Sequence, residues 1–312
     1  MATFEGGVVT PEMIPTEVKQ AFPLEGSSAD FTARLKTGGT LELIDTVHVI
    51  GKPSFNTKSK EFYALDKVIL TNSTIVTNGN TLLLFCNHFL SNNGRIVAFA
   101  DDSKKAANGA VGAGTGEAGD RGEPGVAGGL ASLHVIQEIQ GTLFVDMSGQ
   151  SGGDGGNGAG GSTGASGVKG ENPQSGLFGC NHAGGNGSQG GTGGAGGHGG
   201  DGGNGGSGGY FELYNVGSAP IGSASYSFKG DPGKGGTGGS GGAGGSGGPG
   251  GGGGDGGGFC GGGSPGPGGA AGPSGDGGVV GKDAAPGQVI VKNLELEVIT
   301  GLARTKPLLP NN

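Results

Sequence analysis

The sequence predicts a mainly β or irregular fold: an N-terminal β-rich, solenoid-like region followed by a bundle of polyglycine II helices anchored on further short strands. Three observations predict it. Glycine supplies 83 of the 312 residues, against a usual share of about 7%, and over long stretches it recurs at every third position. Residues 31–106 are instead rich in β-branched and apolar side chains, punctuated by Asn78-Gly79 and Asn93-Gly94, which are turn signals. Runs of β type then return between the glycine tracts. The boundaries that follow are an arm at 1–30, a β-rich region at 31–106 and a glycine-rich region at 107–312 with intervening strands at 130–147, 210–228 and 287–300.

In the arm, Thr10 stands before Pro11 and Thr16 before "EVKQAF", which predicts one or two helical turns. In the second region, "TLELIDTVHVI", "KVILTNSTIV", "TLLLFC" and "RIVAFA" read as strands. Short rungs with Asn-rich corners point to a β-solenoid; a β-sandwich is the alternative. Later strands are expected in "SLHVIQEIQGTLFVDM" (132–147), "YFELYNV" (210–216) and "QVIVKNLELEVI" (288–299).

Between those strands the glycine spacing keeps phase. It runs from Gly116 to Gly128, through Gly152, Gly155, Gly158 and onward to Gly170, from Gly184 to Gly209, from Gly233 to Gly258, and from Gly263 to Gly281. Within "GGTGGAGGHGGDGGNGGSGG" (190–209) the remaining positions are Thr192, Ala195, His198, Asp201, Asn204 and Ser207. A flexible linker has no reason to hold such a phase. Three residues per turn is the polyproline II period, at about 3.1 Å per residue, and that helix has no internal hydrogen bonds. Ordering each residue costs about 1–2 kcal/mol, so every N–H and C=O needs a partner on an adjacent segment at roughly 0.5–1.5 kcal/mol each. A Cβ on an inner row would hold the backbones apart. "GEPGVAG" has some look of collagen, but the G-G-X tracts hold almost no proline, which a collagen strand would carry.

Composition narrows the function. There is no Trp, and aromatic residues make up 5%, so one conventional apolar core for the whole chain is not expected. The net charge is −8 with no cluster of Lys or Arg, which argues against a nucleic-acid partner. No stretch approaches the roughly 20 apolar residues of a membrane span, and the opening residues lack the basic and apolar regions of a standard signal peptide. Cys86, within "TLLLFCNHFL", reads as a buried small hydrophobe. Cys180 and Cys260 would form a disulfide if two glycine-rich segments run side by side; otherwise they are free thiols.

The G-G-X tracts of residues 152–283 resemble two families built on polyglycine II bundles: the receptor-binding adhesins at the tips of bacteriophage long tail fibres, and the glycine-rich snow flea antifreeze proteins. The adhesin resemblance implies that the segments between tracts are binding tips, here 171–183, 210–229 and the Phe259-Cys260 turn. The antifreeze resemblance implies a flat face of small residues, for which Thr237, Ser240, Ala243 and Ser246 form a row ended by Pro249.

Catalytic chemistry is not evident. His198 and Asp201 share a row but would lie about 9 Å apart along a polyproline II axis, too far for a base and its orienting acid, so they read as solvent-facing spacers. Cys180 and His182 lack further metal ligands. Lys234 in "GDPGKGG" lacks the following Ser or Thr of a phosphate loop, and Asp154, Asp201 and Asp255 are isolated by glycine. The expectation is a non-enzymatic structural or adhesin-like protein without cofactor or metal. It would be part of a larger fibre or filament, located outside the cell, at a cell surface or on a virion. Its partner would be a host or neighbouring-subunit surface, protein or glycan. The expected contact residues are Tyr210, Phe211, Tyr214, Tyr226, Phe228 and Phe178, since aromatics dominate binding hot spots; alternatively these rings pack as a local cap. The other readings are a self-assembling homo-oligomer whose edges, "TLELIDTVHVI" or "QVIVKNLELEVI", stack between subunits, and an ice-binding protein.

Overall fold

The computed structural model describes residues 35–53, 60–216 and 223–294. The turns expected at Thr10 and Thr16, the loop at 217–222 and the end of the last strand run lie outside these residues. The strands are β1 (Thr40–Ile44), β2 (Val47–Val49), β3 (Lys60–Thr71), β4 (Thr74–Val76), β5 (Thr81–Val97), β6 (Leu130–Asp146), β7 (Gln174–Ser175), β8 (Cys180–His182), β9 (Tyr210–Val216), β10 (Ser223–Lys229) and β11 (Gln288–Leu294).

Asparagine corners set how the strands stack. Asp45, Asn72 and Asn93 have φ of 48°, 46° and 58°, a left-handed conformation that Asn and Asp tolerate better than other side chains. They bond in line: Asn93 Nδ2 donates to Asn72 Oδ1 at 3.2 Å, and Asn72 Nδ2 donates to Asp45 Oδ1 at 3.1 Å. With the corners superposed, the strands that follow them pair in register. The result is a nine-stranded sheet in the order β1-β3-β5-β6-β9-β11, with β10 beside β6, β4 beside β5 and β2 beside β4. Every pairing in it is parallel. Leu84, Leu133 and Leu213 occupy one register position across β5, β6 and β9 and are buried. The rings of Phe85, His134 and Tyr214 stack in the next, with centroids 4.0 and 4.5 Å apart.

This corrects the expected fold class. Among the described residues the fold is mainly β, organised by one large parallel sheet with almost no helix, and no polyglycine II helix bundle is among the elements. The expectation that the strands between the glycine tracts are only short anchors also gives way. β6 is 17 residues long and pairs with β5 through nearly its whole length, so a strand expected only to anchor glycine helices is central to the sheet. Apolar residues in phase with their neighbours gain more from joining an existing core than from forming local anchors.

The glycine tracts are extended segments outside the regular elements. We label them A (105–114), B (117–129), C (147–172), D (183–209), E (230–256) and F (261–287). Successive tracts run in opposite directions and bond sideways at every third residue. In tract D, Gly199 N–H donates to the Asp276 carbonyl of tract F and Gly200 N–H to the Gly156 carbonyl of tract C, both at 2.8 Å. A Cβ on Gly199 would run into the Gly239 carbonyl of tract E, and one on Gly200 into the Asp120 carbonyl of tract B. Two bare rows therefore accompany a tract with neighbours on several sides. The rule changes where neighbours end. Gly153 and Gly156 of tract C face the Ala107 and Ala110 carbonyls of tract A; past the end of tract A the same row reads Ala159, Ser162, Ala165 and Val168. Tract F needs one glycine row, against tract D, and its others hold Pro265, Pro267, Ala270, Pro273 and Val279.

Candidate functional site

Several polar residues among the glycines are bonded across tracts. Asp154 Oδ1 accepts the Thr237 N–H, Asn157 Oδ1 that of Ser240, Asp201 Oδ1 that of Val279 and Asn204 Oδ1 that of Lys282, each at 2.9 Å. His198 Nδ1 accepts the Asp276 N–H at 3.2 Å. Asp201 and His198 are thus not idle spacers: they satisfy backbone donors on tract F that no carbonyl reaches. Sequence reasoning missed this because the partner lies 78 residues away.

The tracts leave the sheet and return to it. Gly209 N–H bonds the Met147 carbonyl beside the sheet, while Gly185 N–H bonds the Glu171 carbonyl at the opposite end. At that far end the C–D turn carries the small antiparallel pair β7–β8. A disulfide joins Cys180 of this turn to Cys260 of the E–F turn, across 80 residues of sequence. Ser175 Oγ adds a hydrogen bond to the Gly257 carbonyl at 3.1 Å. On this stapled end Leu177 is 87% exposed, Phe178 93% and Phe259 70%. Such side chains would ordinarily be withdrawn from water.

The other expected contact residues are placed differently. Phe211 and Tyr214 are buried in the core. On β9 the Phe211 ring is covered by Phe228 and the core, and the Tyr214 ring stacks on His134, so these two side chains are withdrawn from the surface that the expected contact role requires. Phe228 packs with Phe211, ring centroids 6.2 Å apart, and both Tyr226 and Phe228 sit half-buried against the core. Tyr210 is 49% exposed. Of the expected set, Phe178 alone lies on the far turn.

Two histidines sit in hydrogen-bonded groups with a hydroxyl and a carboxylate. Ser132 Oγ donates to Glu212 Oε2 at 2.9 Å and lies 3.0 Å from His134 Nε2. His134 must then donate to the serine oxygen, so it cannot act as that serine's base. Burial drives its pKa down to about 3. Tyr63 donates to Glu61 Oε2 at 2.6 Å and lies 3.0 Å from His48 Nε2; burial, followed by Glu61, raises its pKa. A cleft of about 220 Å³ opens where β6 and β10 pass into tracts C and E. Its Lys104 and Lys229 are paired with Asp146 at 3.6 Å and Asp231 at 3.2 Å, and Lys234 lines it as a third cation. No group of three or more His, Cys, Asp or Glu side chains suited to a metal occurs among the described residues. No helix among them is long and apolar enough to cross a membrane.

No protein-family model matches the chain, and no curated protein matches it. Among solved structures, it is similar to a springtail antifreeze protein from Granisotoma rainieri, a nine polyproline type II helical bundle. The identity is 22%, the match covers 59% of this chain and 94% of that one, and the TM-score is 0.11. A likeness at that score carries no argument about fold or function.

Proposed function

We propose that this chain is a non-catalytic structural and surface-recognition module, adhesin-like in its mode of action, that displays the far ends of its tracts to a host or neighbouring-subunit surface outside the cell. The observation that carries the reading is the stapled far end, where Leu177, Phe178 and Phe259 stand in water beside the Cys180–Cys260 disulfide. Apolar side chains kept exposed on a constrained turn suit a contact surface. A disulfide favours an oxidising location. The test substitutes Phe178→Ser and Phe259→Ser together and measures attachment of the labelled protein to candidate host cells. Loss of attachment with an unchanged melting temperature is expected; undiminished attachment would sink the proposal.

A second reading, a self-assembling subunit, is favoured by one topological fact: β1 and β11, the two strand runs expected to serve as edges, stand at opposite ends of the sheet path.

A further inference from the structure

We propose that Asp276–Gly277 is a site of spontaneous covalent modification, where the aspartate isomerises through a cyclic imide to isoaspartate, and that the other Asn-Gly and Asp-Gly pairs of the tracts are locked against this chemistry by their neighbours.

An Asn or Asp followed by glycine invites the reaction because glycine has no Cβ to screen its backbone nitrogen. That nitrogen bonds to the side-chain Cγ and closes a five-membered imide. The neutral carboxylic acid of aspartate loses water at this step, and asparagine loses ammonia. Water then opens the ring at either carbonyl. One opening restores aspartate; the other gives isoaspartate, whose backbone runs through the side-chain carbon. For Asp276 the water lost is the water regained, and no other reactant is needed.

Ring closure requires the glycine N–H to give up its proton and the side-chain carbon to swing onto the nitrogen. Through most of the tracts a pair of hydrogen bonds ties both groups to a single residue. Asn157 Oδ1 accepts the Ser240 N–H while the Gly158 N–H donates to the Ser240 carbonyl, both at 2.9 Å. Asn186 and Gly187 clasp Ser264 in the same way, Asn204 and Gly205 clasp Lys282, and Asp201 and Gly202 clasp Val279, all at 2.9 Å. Asn108 with Gly109 clasps Asp154, and Asp154 with Gly155 clasps Thr237. Opening two such bonds first slows closure by roughly fivefold or more. Outside the tracts, Asn78 is buried, and the Gly94 N–H that follows Asn93 donates to Ser91 Oγ at 3.2 Å.

Asp276 has no clasp. Its side chain is 92% exposed, and among the described residues the Gly277 N–H meets no acceptor. His198 Nδ1 lies 3.7 Å from Asp276 Oδ2, but it accepts the Asp276 N–H and so carries no proton for the carboxylate. Asp255, which also precedes a glycine without a clasp, is ion-paired to Lys169 at 2.6 Å, which holds it in the charged form that does not cyclise. The site also sits where an error of spacing matters. The Gly275 and Gly278 N–H groups donate to the Gly242 and Gly239 carbonyls of tract E, and the Asp276 carbonyl accepts the Gly199 N–H of tract D. An isoaspartyl link adds a backbone atom between these anchors and puts tract F out of phase with its neighbours.

The test incubates the full chain in warm, neutral buffer, folded or in urea, and locates isoaspartate by mass spectrometry of its peptides. In the folded chain, conversion at Asp276 is expected to exceed that at Asp154 and Asp201 by at least about fivefold, while Asn157, Asn186 and Asn204 keep their amides. In urea the asparagines convert and Asp276 loses its lead. Gly277→Ala puts a Cβ beside the nitrogen where the nearest atom is the Gly239 carbonyl at 3.5 Å, and should slow Asp276 several-fold in a folded protein. Val279→Pro removes the N–H that Asp201 accepts. Proline already stands in that row at Pro267 and Pro273, whose carbonyls accept the Gly190 and Gly196 N–H groups. Conversion at Asp201 should rise about twofold or more in this variant. Circular dichroism checks that both variants are folded. Equal conversion at Asp276 and Asp201 in the folded chain, asparagines lost as fast folded as in urea, Asp276 indifferent to Gly277→Ala, or Asp201 indifferent to Val279→Pro would overturn the proposal.

Discussion

Asp201 accepts the backbone N–H of Val279 at 2.9 Å across 78 residues of sequence, and Asp154 does the same for Thr237 across 83. A short carboxylate or amide at the third position of a glycine triplet thus fastens one tract to the next but one, C to E and D to F. Asn157→Leu should lower stability by about 0.5–1 kcal/mol, since the Ser240 N–H loses its partner at a position water can reach. Asn157→Asp should recover most of the loss. Chemical denaturation of the three proteins checks both.

The carboxyl of Asp154 is held at a pKa of about 2, first by the Lys105 ammonium and then by the Thr237 N–H. Its folded pKa lies below the unfolded value of about 3.9, so its contribution is present above that value and is lost as pH falls through about 2. The group is well exposed, and the effect on stability is correspondingly small. Carboxyl NMR should find Asp154 still ionised at pH 3, and Lys105→Ala should move its midpoint upward.

Glycines of the same tract system should differ sharply in tolerance. A Cβ on Gly200 would meet the Asp120 carbonyl well inside any real contact distance, whereas at Gly277 the nearest atom is the Gly239 carbonyl at 3.5 Å. Gly200→Ala should cost about 1–3 kcal/mol or more through forced backbone separation, and Gly277→Ala almost nothing. Thermal melts of the two variants make the comparison.

His134 is buried between Phe85 and Tyr214, and its folded pKa of about 3 lies below the unfolded value of about 6.5. The unfolded chain binds more protons between those values, so stability should fall as pH drops from about 6.5 toward 3, by about 4 kcal/mol at most. Melting temperature against pH, compared with His134→Phe, measures the slope; the substituted protein should lose most of it.

Reduction of Cys180–Cys260 should loosen the far end and leave the sheet intact. The bond closes a long loop, and its loss should cost about 2–4 kcal/mol. Hydrogen exchange in 172–183 and 257–260 should speed up under reductant while amides of β5 and β6 stay protected.

Much of the site was legible in the sequence and part was not. Phe178 and the Phe259-Cys260 turn were expected at tract ends because they interrupt the glycine period. Phe211 and Tyr214 were expected there too, yet "YFELYNV" carries no local mark of whether its rings face water or the sheet. That depends on β6 and β11 lying on either side, and both are distant in sequence.

The amino-acid sequence by itself determined where the glycine spacing holds phase, which runs are of β type, and where Asn93-Gly94 turns the chain with positive φ at Asn93. Each of these is a property of a residue and its immediate neighbours. The tertiary structure alone decided that strands on both sides of tracts A and B join one parallel sheet, that Cys180 meets Cys260, and that tract C requires a second bare row only as far as tract A accompanies it. The physical reason is that parallel pairing and sideways backbone bonding take their partners from remote segments. Spacing along the chain records that a neighbour exists without recording which one.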